Sequence, residues 1–197
     1  MQEKKQEVEL RVLLEPEQRA DLEAKLKAYG IQWEATENIV DEYYCPQRVG
    51  SFAEITMDEV GSFSLRSRMV ERGGVMQVQL NTKVITTQGD HHAWEEHEVS
   101  VDSAPQLQAI LGTLGYKVFC RIEKERTIFK LGQKTICIDE IRDFGCALEI
   151  EVMTCPDAAQ EAKREIEQFL ASLGVSREQI LPKSVTYLIM QTRSARF

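Results

Sequence analysis

Near its start the chain reads Glu7-Val8-Glu9-Leu10-Arg11-Val12, a strict alternation of charge and hydrocarbon. Side chains on a β-strand point to opposite faces in turn. One face of this segment therefore carries two carboxylates and a guanidinium while the other is apolar. A single strand of this kind needs no more explanation than one half-buried sheet. Here the pattern recurs. Ser64, Arg66 and Arg68 are set against Phe63, Leu65 and Met69, and Gln77, Gln79, Asn81 and Lys83 against Val78, Leu80, Thr82 and Val84. Glu96 and Glu98 share a face, as do Lys124 and Arg126. Asp139 alternates with Ile136 and Ile138, and Glu149 and Glu151 with Leu148, Ile150 and Val152. Such a chain must cover one set of faces and find a use for the other.

Turn and cap signals divide the chain into strands near 7–12, 31–45, 63–70, 75–84, 93–101, 116–130, 135–141 and 146–153. One helix opens at Glu15-Pro16 and ends at Gly30; a second is capped by Ser103, with Pro105 in its first turn, and stops at Gly115. A third runs from about Pro156 to Leu173, and Val185 to Met190 reads as a last strand. With no repeat or linker, residues 1–197 are read as one domain, long enough to bury a core. Two architectures satisfy the alternation. An open sheet can lay its apolar face on the helices and leave the charges in water. A closed barrel can turn the charges inward as a polar tunnel and put the helices outside. The period is the same in both.

The charges carry more information. Glu7, Glu9, Glu96, Glu98, Asp139, Glu149 and Glu151 lie on the polar faces together with Arg11, Arg66, Arg68, Lys83, Lys124, Arg126 and Lys183. Crowded carboxylates suit a hard divalent cation such as magnesium or manganese. Arginines and lysines suit phosphate oxygens. A polyphosphate with its metal asks for both at once; the plain alternative is mutual neutralisation by surface ion pairs worth ~0–1 kcal/mol each.

A formal net charge of -8 disfavours a nucleic-acid binder. No apolar run approaches the roughly 18 residues that cross a bilayer, and no signal-peptide core follows Met1–Lys5. The five cysteines form no Cys-x-x-Cys pair and read as reduced thiols of a cytoplasmic protein. His91, His92 and His97 lack completing ligands and read as a surface loop rather than a metal site. Trp33 and Trp94 read as packing.

The ordered set Glu7-x-Glu9, Leu65-Arg66-x-Arg68, Lys83, Glu95-Glu96-x-Glu98, Lys124-x-Arg126 and Asp139 with Gly145-x-x-x-Glu149-x-Glu151 resembles CYTH domains, also called triphosphate tunnel metalloenzymes. Asp41-x-Tyr43-Tyr44 and Lys183-Ser184 with Tyr187 extend the resemblance over nearly the whole chain. Its closest likeness is to the class IV adenylyl cyclase branch. The resemblance implies an α+β fold, an eight-stranded antiparallel barrel with helices outside. It implies Mg2+ or Mn2+ on Glu7, Glu9, Glu96, Glu98, Asp139, Glu149 and Glu151. Phosphate would be held by Arg11, Arg66, Arg68, Lys83, Lys124, Arg126 and Lys183.

The expected partner is a small triphosphate (ATP, tripolyphosphate or thiamine triphosphate), with no nucleic acid and no membrane; a homodimer is left open. The expected chemistry is cyclisation of ATP to cyclic AMP, or hydrolysis of a triphosphate, or binding without turnover. The departure from the family is Arg11, where lysine is usual. An arginine does not give up its proton, so a base role there passes to Lys83 if neighbouring cations lower its pKa. Arg11 and Lys83 are thus the residues expected at the reacting position.

Overall fold

Of the two architectures, the protein adopts the closed one. The computed structural model describes residues 5–55 and 57–194; Met1–Lys4, part of the segment examined above for a leader, lie outside the described residues. Eight strands, β1 (Gln6–Leu14), β2 (Gln32–Pro46), β3 (Phe63–Arg72), β4 (Val75–Ile85), β5 (Ala93–Val101), β6 (Tyr116–Leu131), β7 (Lys134–Ile141) and β8 (Gly145–Thr154), form a barrel in the order β1-β5-β4-β3-β2-β6-β7-β8. Every pairing is antiparallel. Among the described residues, four α-helices, α1 (Pro16–Ala28), α2 (Ala104–Thr113), α3 (Ala159–Ser172) and α4 (Val185–Ser194), accompany the barrel. Among the described residues, no helix is long and apolar enough to cross a membrane.

Two meanders make up most of the wall. β2 to β5 pair in sequence, the tight β3–β4 turn using Gly73 and Gly74 at φ 59° and 82°, a backbone that side chains disfavour. β6 to β8 form the other. A long β2–β6 ladder joins them on one side. On the other, β1 runs along the whole of β8 but meets β5 in only two residue pairs, Glu7 with Trp94 and Val8 with Ala93.

The main hydrophobic core lies outside the barrel. Val8, Leu10 and Val12 of β1, Ile136 and Ile138 of β7 and Leu148, Ile150 and Val152 of β8 pack under Leu22 and Leu26 of α1, Ala162, Ile166 and Leu170 of α3, and Leu173 just after it. Helix α2 covers another stretch of outer wall with Leu107 and Leu111, against Tyr44, Leu65 and Leu80. The outward residues of the alternating strands are therefore the apolar ones, and Glu7, Glu9, Arg11 and Asp139 are buried on the other side.

Val185 to Met190 is the first part of α4, not a ninth strand. Ser184 Oγ accepts a hydrogen bond from the Tyr187 amide at 3.1 Å, a helix N-cap that a short apolar run conceals. The buried residues are Val185, Ile189 and Met190, at helical spacing, and they pack on inward-facing Tyr43, Ile122 and Ile141. The helix closes one end of the barrel.

Ile166 has no exposed surface and joins α3 to the barrel wall. Ile166→Ala should cost about 2–5 kcal/mol, read as a lower urea midpoint with unchanged slope. A loss below about 1 kcal/mol would mean that α3 contributes little to holding the wall.

Candidate functional site

A cavity of about 300 Å³ runs into the barrel. Around its wall the charges segregate. β5, β1, β8 and β7 contribute mostly acids, namely Glu96, Glu98, Glu7, Glu9, Glu151, Glu149 and Asp139, with Arg11 among them. β4, β3 and β6 contribute Lys83, Arg66, Arg68, Lys124 and Arg126. The tunnel thus has an acidic and a basic side. At the α4 end the lining becomes apolar, with Phe52, Met57, Ile122, Ile141, Ile189 and Met190.

On the acidic side, Glu7, Glu9 and Glu151 each place a carboxylate oxygen within 4.8 Å of the others. Glu9 stands directly opposite Glu151 in the β1–β8 ladder. Three anionic oxygens converging without nitrogen or sulfur fit a hard divalent cation. The remaining acids are placed differently. Glu98 is exposed and accepts from Gln79 Nε2 at 3.0 Å. Glu149 lies 3.5 Å from Arg126 and 3.9 Å from Arg11. Asp139 is taken up by cations: Arg126 Nε and Nη2 donate to it at 2.6 and 2.8 Å, and Lys124 Nζ at 2.6 Å.

On the basic side, an acid that sequence reasoning left out of the site proves central. Asp41 on β2 accepts from Arg68 Nε and Nη2 at 2.7 and 2.8 Å and lies 3.6 Å from Arg66. Burial alone would push Asp41 up, but Arg68 and Arg66 outweigh it and hold the carboxyl well below its ordinary range. The signal was the inward phase of Asp41 and Tyr43, hidden because the same strand also buries Glu42 and Tyr44 on its outer face. Arg66 Nε also donates to Asn81 Oδ1 at 2.9 Å, which leaves the buried Asn81 Nδ2 without a partner among the described residues.

Lys83 does not have the lowered pKa expected of a base. Burial pulls it down, but it stands among Glu7, Glu96 and Glu149, and these carboxylates hold it above its ordinary value. Its neighbours are anions where the expectation needed cations. Lys124 is the tunnel lysine that is lowered, by burial and then by Arg126. Arg11 is buried, pairs with Glu9, and donates from Nη1 to the His91 carbonyl oxygen at 3.1 Å.

Lys183 is not brought to the cavity wall; its Nζ pairs with Asp58 Oδ1 at 2.8 Å and lies 4.8 Å from the Tyr187 ring centre. Of the three histidines read as a surface loop, His91 is instead buried against Asp58. Trp33 is 60% exposed, so it does not pack, whereas Trp94 is buried and lines the tunnel under Arg11.

A family model described as "CYTH domain" matches residues 5–185. The adenylate cyclase CyaB of Aeromonas hydrophila is 26% identical over 95 residues, which are 48% of this chain and 50% of that protein. The chain spans about half the length of the curated relatives it matches. Among solved structures, PH1819 of Pyrococcus horikoshii OT3 superposes with a TM-score of 0.78 at 23% identity, over 95% of this chain and 99% of that one. HpAC1 of Hippeastrum, reported with a dominant triphosphatase activity, superposes with a TM-score of 0.64 at 16% identity, over 96% of each chain. At these identities the likeness is one of fold.

Glu96 generates a pH prediction. Burial and then a hydrogen bond shared with Glu7 push its carboxyl up to about 8, from an ordinary 4.5. Between those values the folded protein keeps a proton that the unfolded chain releases. This contribution to stability is complete below pH 4.5 and is lost as pH rises through about 8. Glu151 is shifted the same way by burial and by Glu7. Below about pH 6.5 His92, which burial holds down to about 4, works in the opposite direction, so the metal-free protein should melt at progressively lower temperature between about pH 6.5 and 8, and Glu96→Gln, which mimics the protonated acid, should flatten that trend. Parallel melting curves for both proteins in chelator would show that Glu96 does not carry the proton.

Proposed function

Since the chain belongs to the CYTH domain family, we propose that it is a divalent-metal-dependent enzyme acting on a triphosphate in the tunnel, converting ATP to cyclic AMP and pyrophosphate. The observation that carries this reading is the division of one cavity into a charged stretch and an apolar stretch. A nucleoside triphosphate has the same two halves. Tripolyphosphate would leave the apolar stretch unused. Relatives named as adenylate cyclases support the choice.

Arg66, Arg68, Lys124 and Arg126 would bind phosphate oxygens, the forks of Arg68 and Arg126 held at fixed angles by Asp41 and Asp139. Glu7, Glu9 and Glu151 would hold magnesium or manganese. When bound, the ion would supply Lewis-acid polarisation of a phosphoryl oxygen. Ring closure needs the ribose hydroxyl in line with the α-phosphorus, so the nucleophile comes with the substrate and the chain's task is alignment. Arg11 keeps its proton, and Glu7 and Glu96 keep Lys83 protonated. The lowered Lys124 Nζ is the lysine suited to exchange a proton.

Hydrolysis is the second reading. HpAC1, which shares the fold, favours it, and it requires a water held beyond the terminal phosphorus in place of the ribose hydroxyl.

Incubation with manganese or magnesium and, separately, ATP, tripolyphosphate and thiamine triphosphate distinguishes the readings by product. Cyclic AMP with pyrophosphate is expected. Orthophosphate without cyclic AMP would establish the hydrolase, and tight binding without product would leave a non-catalytic binder. In the active case, Arg126→Ala should lower kcat/KM by about 10²-fold or more.

A further inference from the structure

Two of the three converging carboxylates already have a resident cation. Lys83 Nζ is in contact with Glu7 Oε1 and lies 3.4 Å from Glu9 Oε1, and the Arg11 guanidinium is in contact with the same Glu9 oxygen. The two cations are held differently. Arg11 is fixed from several sides: Nη1 on the His91 carbonyl oxygen, Nε 3.9 Å from Glu149, and the guanidinium carbon 6.0 Å from the Trp94 ring centre. Among the described residues, Lys83 Nζ has hydrogen bonds and ion pairs with Glu7 and Glu9 alone, on a flexible four-carbon stem. Its departure would break no other hydrogen bond or ion pair among the described residues.

Where Lys83 would go is set by the wall it stands on. β4 pairs with β3, and Lys83 opposes Ser64, two residues from Arg66 on the same inward face. It sits on the border between the acidic and basic sides. A divalent ion arriving alone would meet the Lys83 ammonium at its own ligands, and a triphosphate arriving alone would meet the bare acids beyond. Each ligand removes the obstacle to the other.

We propose that Lys83 is an exchangeable counter-ion, holding Glu7 and Glu9 when the tunnel is empty and passing to the triphosphate when a divalent cation takes those carboxylates, so that metal and triphosphate bind with positive coupling. This rests on the reading of the tunnel as a metal and triphosphate site. Because coupling is reciprocal, the metal strengthens triphosphate binding by the same factor that triphosphate strengthens the metal's.

One substitution should then move two affinities in opposite directions. By titration calorimetry, Lys83→Met should bind Mn2+ alone about tenfold more tightly than wild type and bind tripolyphosphate alone, in chelator, about tenfold more weakly. Lys83→Gln, whose amide still donates to Glu7, gives the same readout should the methionine variant fold poorly. Lys124→Met removes an equal charge from the basic side; it should weaken tripolyphosphate but shift Mn2+ affinity less than about twofold. Equal tightening of Mn2+ in the Lys83 and Lys124 variants would reduce the effect to a general field and overturn the exchange. So would unchanged Mn2+ affinity in both Lys83 variants while wild type binds both probes. If wild type binds neither probe, the proposed function fails together with the exchange.

Discussion

A charge taken out of water must be paired, and the interior of this barrel is built on that requirement. Asp41 holds Arg68 and leans on Arg66, Asp139 holds Arg126 and Lys124, and Glu7 and Glu9 are held by Lys83 and Arg11. The Asp41 and Asp139 pairs join neighbouring strands, Lys83 reaches Glu7 and Glu9 past β5, and Arg11 meets Glu9 on its own strand, so the closed sheet brings each acid to a base. The cost of burying them explains why the main apolar core had to be assembled elsewhere, between the outer wall and the helices. The result is a protein turned inside out by comparison with an ordinary sandwich, with its hydrocarbon outside the sheet and its charges within.

The same pairing leaves the tunnel polarised. Acids cluster where β1 and β8 meet, and bases cluster across β3, β4 and β6. A ligand carrying both metal and phosphate can replace resident pairs with pairs of its own, keeping the buried charge balanced throughout. Arg11 does not take part in that exchange, since its fork is tied to a carbonyl oxygen and an aromatic face as well as to an acid. Those contacts hold the guanidinium in place, and an arginine keeps its proton.

Much of this was legible in the alternation itself. Because the side-chain period of a strand is two, the residues of β1, β3, β4 and β8 could be assigned to faces without knowing which face was inside. Closure was not legible, since an open sheet has the same period; the charged resemblance to a known family decided it. The role of Asp41 escaped because β2 buries residues on both faces, and alternation fails as a signal where both faces are covered. Lys83 was assigned to the right wall but the wrong electrostatic setting. Which charges face one another across a barrel depends on strand order, and β1 beside β5 is not foreseeable from local pattern. Helix α4 was mistaken for a strand because six residues hold too little periodicity to separate the two.

The ladders of β1 also bear on the order of assembly. The two meanders consist of neighbours in sequence and need little loop closure, whereas Glu9 finds Glu151 only across almost the length of the fold. By that measure β1, fitted between β8 and a two-pair seam with β5, is the strand expected to complete its pairing last. A nascent chain halted before β8 would possess Arg66, Arg68, Lys83, Lys124 and Arg126 but only two of the three converging carboxylates. The carboxylate cluster proposed to hold a divalent ion would be complete only once β8 has joined β1.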